Sequence, residues 1–85
     1  MSSIKDLKKK VKNMVIAVLD DCDYIMENNS KNADKADNLI DEAVDFHDSI
    51  ITKINQAKSK ADFRAIKEEI AKNEVEFIKK LNALN

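Results

Sequence analysis

The sequence predicts an all-α protein, an up-down-up bundle of three helices. The 85 residues include no glycine and no proline, which removes the commonest turn and breaker residues. Apolar residues recur at spacings of three and four, the period of an amphipathic helix. Two short polar segments divide the chain into three stretches of near-equal length, and such helices pack side by side around one core. A helical hairpin with a detached third helix, or a dimer that shares helices, remains an alternative.

The first helix is predicted over residues 3–27. Its apolar positions fall within one stripe at 100° per residue. These positions are Ile4, Leu7, Val11, Met14, Val15, Val18, Cys22, Ile25 and Met26. The following segment, ENNSKN at residues 27–32, is polar and rich in residues that compete with the helix for backbone hydrogen bonds. We therefore expect a loop there.

The second helix is predicted over residues 33–57 and the third over residues 60–84, so that residues 1–85 form a single helical domain. The inward stripe of the second is Ala36, Leu39, Ile40, Ala43, Val44, Phe46, His47, Ile50, Ile51 and Ile54. The segment KSKAD interrupts the pattern, with Ser59 placed to cap the third helix toward Asp62. The inward stripe of the third is Phe63, Ile66, Ile70, Phe77, Ile78, Leu81 and Leu84.

The composition limits the classes of function. With 36% charged and 44% hydrophobic residues the chain is typical of a folded domain. The net charge of −1 gives no strong overall attraction for nucleic acid or anionic lipid. The longest apolar run, MVIAVL at residues 14–19, is far too short to cross a membrane. The N-terminal segment MSSIKDLKKK lacks the apolar region of a signal peptide, so a cytoplasmic location is expected.

The segment VLDDCDYIM places the single cysteine among three aspartates. At 100° per residue Cys22 lies on the apolar stripe, whereas Asp20 and Asp23 lie on the opposite side. A zinc site needs four converging ligands, and a reactive thiol needs nearby cations or a helix N-terminus. Neither condition is met here, so we expect a buried structural thiol and no metal.

His47 and Glu74 both lie on predicted apolar stripes. If the second loop centres near residues 58 and 59, residue 47 lies level with about residue 70, and residue 74 is one turn further along. A hydrogen bond between the two would satisfy two buried polar groups, which are costly when unpaired. The alternative is a core or boundary histidine with one satisfied nitrogen. A small enzyme would need a cleft at this pair that water can enter, but the chain has no accompanying nucleophile and no glycine-lined pocket. We expect no enzyme and no cofactor.

The outer face of the first helix has a charge pattern that inverts about Ile16. Its members are Lys5, Lys9, Lys12, Ile16, Asp20, Asp23 and Glu27. Two such helices laid antiparallel about a two-fold axis at Ile16 would bring each lysine opposite an acid, as an isologous dimer requires. The alternative is a solvated face with one exposed isoleucine, which is common in monomers.

The outer face of the second helix is an acidic row at spacings of three and four. Its members are Asp34, Asp37, Asp41, Asp45 and Asp48. The row is either a solubilising surface or a docking strip for a basic protein partner, with charge setting the association rate. Calcium is disfavoured, because a straight helix cannot wrap six oxygens around one ion.

The up-down-up arrangement also gathers bases at one end of the bundle: Lys5, Lys8, Lys10, Lys53, Lys58, Lys60 and Arg64. This end is the one candidate for binding nucleic acid or another anion, but it has no arginine-rich run and no aromatic ladder. The sequence therefore predicts a small interaction module that binds a protein partner or a second copy through charged helix faces, with the basic end as the alternative.

Overall fold

A computed structural model describes residues 3–84, with side chains from residue 4 onward, and shows three α-helices. They are α1 (Ser3–Asn28), α2 (Ala33–Gln56) and α3 (Lys60–Leu84), with a short 3₁₀-helix at Ser30–Asn32 in the first loop. No strand occurs within this part of the chain. The predicted all-α three-helix fold is confirmed. The helices pack along one another into a rod of 45 × 17 × 16 Å.

The core is a single apolar cluster to which each helix contributes one stripe. Its buried members are Leu7, Val11, Met14, Val15, Val18, Cys22, Ile25, Ala36, Leu39, Ala43, Ile50, Ile54, Ile66, Ile70, Phe77, Leu81 and Leu84. All of them are on the stripes that the helical period predicts. No polar or charged residue is buried among the described residues.

The pairing of α1 with α2 is the most extensive in the molecule. The row of α2 that faces α1 includes Ala36 and Ala43, which are both completely buried. Because alanine has only a methyl side chain, it lets the backbone of α1 approach closely at these two positions. The α1–α2 hairpin is therefore the tightest unit of the bundle, and α3 packs across one of its two sides.

The register of α3 on α2 is fixed by three cross-helix pairs. They are Phe46 with Phe77 (ring centroids 5.7 Å apart, edge-to-face), Lys53 with Glu69 (2.8 Å) and Glu42 with Lys80 (3.2 Å). Exposed ion pairs of this kind contribute little stability, but all three pairs agree on one register. Residue 47 of α2 therefore lies level with about residue 75 of α3, about five residues beyond the predicted level.

A capping box begins α3, as the sequence predicts. The backbone N–H of Asp62 donates to Ser59 Oγ at 3.1 Å, and the backbone N–H of Ser59 donates to Asp62 Oδ2 at 3.3 Å. The backbone N–H of Lys58 also donates to Asp62 Oδ2, at 3.0 Å. These hydrogen bonds lower the pKa of the Asp62 carboxyl below its usual value, and the bond from Lys58 has the largest effect. The box ends the loop and sets where α3 starts.

The first loop holds the last turn of α3. The side-chain amides of Asn29 and Asn32 both donate to the backbone carbonyl of Leu84, at 3.3 Å and 2.9 Å. The last carbonyls of a helix have no hydrogen-bond donor inside the helix. The two asparagine side chains supply donors to the Leu84 carbonyl. Residues more than 50 positions apart are thereby joined at one end of the rod.

Four apolar residues predicted to face inward are instead exposed. Ile4, Met26, Val44 and Ile78 have between 37% and 52% of their surface accessible to solvent. Met26, Val44 and Ile78 lie at the edges of their apolar stripes, where a helix with neighbours on only two sides is not covered. Ile4 lies in the first turn of α1. The prediction of inward positions is therefore wrong at the edges of the stripes and at the start of α1.

Candidate interaction surfaces

The outer face of α1 is exposed to solvent along its whole length. All seven of its residues, from Lys5 to Glu27, are accessible to solvent, and Ile16 at its centre is 43% exposed. None of its six charged side chains makes a hydrogen bond or an ion pair with another described residue. These charges therefore have no ionic partner within the described chain. We call this surface the α1 face.

The acidic row of α2 is exposed along its whole length, from Asp34 to Asp48. Its one side-chain contact to another side chain is between Asp48 Oδ1 and Nδ1 of the adjacent His47, at 3.2 Å. No lysine or arginine of the described chain forms an ion pair with any of the five aspartates. The row is a strip of uncompensated negative charge.

The predicted buried pair of His47 and Glu74 is wrong. His47 has a side chain that is 33% exposed and contacts Asp48 instead. Glu74 is half-buried and lines a groove between α1 and α3, together with Lys10 and Met14. The register places the two residues at nearly the same level, but Glu74 lies in the groove shared with α1, whereas His47 lies on the side of the α2 apolar stripe that faces away from α3. Neither group is a buried acid or base.

Cys22 lies in the core, completely buried. Burial, followed by the charges of Asp21 and Asp23, raises the pKa of its thiol above the usual value. The unfolded chain therefore loses this proton first as the pH rises. The contribution of Cys22 to stability is complete below about pH 8.5 and declines above it.

Cys22 should accordingly react slowly with a thiol reagent. At pH 8 we expect the native protein to be labelled at least about a hundredfold more slowly than the same protein in urea, because the core must open first. Absorbance of the released thiol-reagent anion measures both rates. Equal rates in the native and unfolded protein would contradict the placement of Cys22 in the core.

The basic end forms a shallow groove between α1 and α3. Its lining includes Lys60, Arg64 and Lys67, with Leu7 and the half-buried Phe63 between them. Lys53, predicted to belong to this end, is paired with Glu69. No group of three potential metal-binding side chains occurs in residues 3–84. Within the same residues, no helix has a long enough apolar stretch to span a bilayer.

The structure shows one further surface, on the side of the α1–α2 hairpin that α3 does not cover. Three residues of α2 form the cross-helix pairs with α3: Glu42, Phe46 and Lys53. They lie on one side of the buried row that contains Ala43. At 100° per residue, Ile40, Val44 and Ile51 lie on the other side of that row.

The same division holds on α1. Leu7, Lys10, Met14 and Ala17 line grooves shared with α3. Leu19 and Met26 project from the opposite side of the α1 core stripe. We call the apolar surface on this side of the hairpin the open face: Leu19, Met26, Ile40, Val44 and Ile51. Leu19, Ile40 and Ile51 are partly buried against the core, whereas Met26 and Val44 are exposed.

No family of proteins, no curated protein and no solved structure matches this chain. Its function therefore has to be inferred from the surfaces themselves.

The sequence contained a signal for the open face. The apolar stripe of α2 runs from Phe46 on one edge to Val44 on the other, an arc of about 160° at 100° per residue. An apolar stripe of about 100° is enough to face a core. The extra width of the α2 stripe indicates that this helix has apolar surface beyond what α1 and α3 cover.

Proposed function

We propose that this protein is a non-enzymatic helical interaction module that binds a second copy of itself through the α1 face. The observation that carries the proposal is the inversion of charge about the exposed Ile16. Lys12 and Asp20, Lys9 and Asp23, and Lys5 and Glu27 are each equidistant in sequence from Ile16. In an antiparallel pair of α1 helices, every lysine of one copy then faces an acid of the other.

The shape of the molecule favours an interaction along its side. Its accessible surface is 5979 Å², whereas a compact monomer of 9.7 kDa is expected to expose about 5,100 Å². The difference is comparable to the ~800 Å² that each partner buries in an interface of standard size. The surplus is a result of the rod shape, and side-by-side association is the arrangement that would remove it from water.

The contact consists mainly of exposed ion pairs, so the dimer is weak and depends on salt. Each surface ion pair contributes ~0.2–1 kcal/mol, and the two-fold axis makes each of the three pairs occur twice. Burial of the two Ile16 side chains at the axis adds an apolar contribution. A dissociation constant in the micromolar to millimolar range is therefore expected.

Ile16→Glu should leave the helical content unchanged and reduce the solution mass to that of the 9.7 kDa monomer, because it places two acids together at the two-fold axis. Light scattering after size exclusion, at low and high salt, measures the mass. Val75→Glu is the matched control, since Val75 is similarly exposed but on α3. It should leave the mass unchanged.

A charge swap gives a stricter test of the antiparallel geometry. Lys9→Glu alone and Asp23→Lys alone should each weaken the dimer by placing like charges opposite one another. The double variant, with both changes in one chain, should restore it. The proposal is overturned if the double variant is no better than the singles, or if the unchanged protein is still monomeric at about 1 mM, which corresponds to a binding free energy weaker than ~4 kcal/mol.

The alternative function, binding of nucleic acid or another anion, would use the groove of Lys60, Arg64 and Lys67. Binding there would fall steeply with salt and would be lost when these bases are changed. Lys5, Lys10 and Lys58, also predicted at this end, are exposed but do not line the groove, and the acidic half of the molecule repels a phosphate backbone. The α1 face is the better supported surface.

A further inference from the structure

We infer that the open face binds a basic amphipathic helix of another protein, which completes a four-helix bundle. The apolar residues of the open face are not part of the α1 face, although Asp23 and Glu27 of the α1 face border it, and the inference goes beyond self-association.

The open face has the geometry of a helix-binding groove. It lies between α1 and α2 on the side opposite α3, so a helix placed there would contact the hairpin much as α3 does on the other side. Apolar side chains project from both walls, with Leu19 and Met26 on α1 and Ile40, Val44 and Ile51 on α2. A helix with an apolar stripe at spacings of three and four fits such a groove.

The charges beside the groove select a basic occupant. Next to the half of the groove nearest the first loop, Asp23 and Glu27 lie on the outer side of α1, and Asp37 and Asp41 on the outer side of α2. All four are exposed and have no ion pair within the described residues. The segments 17–28 and 33–48 contain one lysine, Lys35, no arginine, and the single histidine, His47. Lys35 lies on the α3 side of α2, where it shares a groove with Lys80.

Both flanks of this half of the groove are thus acidic. A helix whose apolar stripe is bordered by lysine or arginine on both sides would place its bases beside these four carboxylates. Charge complementarity of this kind raises the association rate and excludes acidic partners. The apolar stripe would supply the contact area, and the acids would supply the selectivity.

A second copy of this chain fits the groove poorly. Its three apolar stripes are already buried in its own core, and its exposed apolar residues outside the open face (Ile4, Ile16, Tyr24, Val75 and Ile78) do not form a stripe that could fill the groove. If two copies met through their open faces, either two-fold arrangement would place aspartates of α2 against acidic residues of the other copy. The occupant is therefore a helix from a different protein, with its own unpaired apolar stripe.

The test uses two synthetic helical peptides of 18 residues, with leucine at spacings of three and four and either lysine or glutamate at all other positions. Binding of each labelled peptide to the full chain is measured by fluorescence anisotropy at low and moderate salt. We expect the lysine peptide to bind and the glutamate peptide not to bind. Equal binding of both would overturn the inference.

Two pairs of charge-matched variants separate the groove from general attraction to an acidic protein. Val44→Lys should weaken binding of the lysine peptide by about tenfold or more, because it removes an apolar contact and adds a repelling charge. Val75→Lys adds the same charge to an exposed valine of α3 and should change the affinity by no more than about twofold. Equal losses in the two variants would overturn the inference.

The second pair changes only charge. The double variant Asp37→Asn, Asp41→Asn should weaken binding by about fivefold. Glu68→Gln, Glu76→Gln makes the same change in net charge at exposed positions of α3 and should have little effect. In a two-dimensional amide spectrum, the peptide should shift the resonances of the open face and leave those of the exposed side of α3 in place.

Failure of this inference and failure of the proposed dimer can be distinguished. Ile16→Glu should abolish self-association and keep peptide binding, since Ile16 lies outside the open face. If Val44→Lys lowers the solution mass in the absence of peptide, a second copy occupies the open face and the inference is wrong.

Discussion

Replacing Ile50 by alanine should lower the free energy of unfolding by about 2–5 kcal/mol. Ile50 is completely buried on the row of α2 that faces the rest of the bundle. The change removes three methyl or methylene groups and leaves a cavity between helices that cannot fully close. A domain of 85 residues is expected to have a total stability of about 4–13 kcal/mol, so this loss is a large share of the whole.

Urea unfolding followed by circular dichroism at 222 nm measures the effect. The matched control is Ile78→Ala, the same chemical change at an isoleucine of α3 that is 52% exposed. The control should change stability by less than about 0.5–1 kcal/mol. If the two variants lose the same stability, the assignment of core and surface on these helices is wrong.

Phe77→Ala should have an effect of similar or greater size, about 3–5 kcal/mol. Phe77 is buried on α3 and packs edge-to-face on Phe46 with ring centroids 5.7 Å apart. It is the largest side chain that α3 places in the core, and α3 makes fewer contacts with the hairpin than α1 and α2 make with each other. Loss of this ring should therefore loosen α3 before the hairpin.

Hydrogen exchange distinguishes loosening of α3 from uniform destabilisation. In Phe77→Ala the backbone amides of α3 should lose more protection from exchange than the amides of α1 and α2 where these helices pack together around Ala43. Tyr24→Ala removes an aromatic ring that is 64% exposed, and it should alter stability by less than about 0.5–1 kcal/mol. Equal loss of protection in all three helices would show that the bundle unfolds as one unit.

The fold could be predicted because its two main determinants are local. The polar segments at the first and second loops, and the spacing of apolar residues between them, are visible without knowledge of tertiary contacts. The capping box of Ser59 and Asp62 is a local signal too, and its hydrogen bonds are present. The structure also keeps Cys22 on the buried stripe, as its helical phase predicts.

The predicted pair of His47 and Glu74 failed because the direction in which a side chain points relative to the neighbouring helices is not a local property. Counting residues back from the middle of a loop assumes that both helices leave it at equal height and face each other squarely. The contacts Phe46–Phe77 and Lys53–Glu69 show an offset of about five residues relative to that assumption. The offset itself brings the two residues to nearly the same level, and the pair is absent because Glu74 points toward α1 and His47 points away from α3.

The open face was missed for a related reason. The apolar period of α2 marks every residue that avoids water, but it does not say how many neighbours are available to cover them. Val44 and Ile40 belong to the same stripe as Ala43, and only the position of α3 separates them. The charged α1 face and the acidic row were visible in the sequence, because exposed charges need no tertiary information to be placed on the outside of a helix.

The odd number of helices determines how the molecule would respond to mechanical load. Because α1 and α3 run in the same direction, the first and last described residues lie at opposite ends of a 45 Å rod. Tension applied at these two points acts along the helix axes and makes the helices slide past one another, so many side-chain contacts must break together. In a bundle with an even number of helices, both attachment points are at one end and the same tension would peel the helices apart one contact at a time.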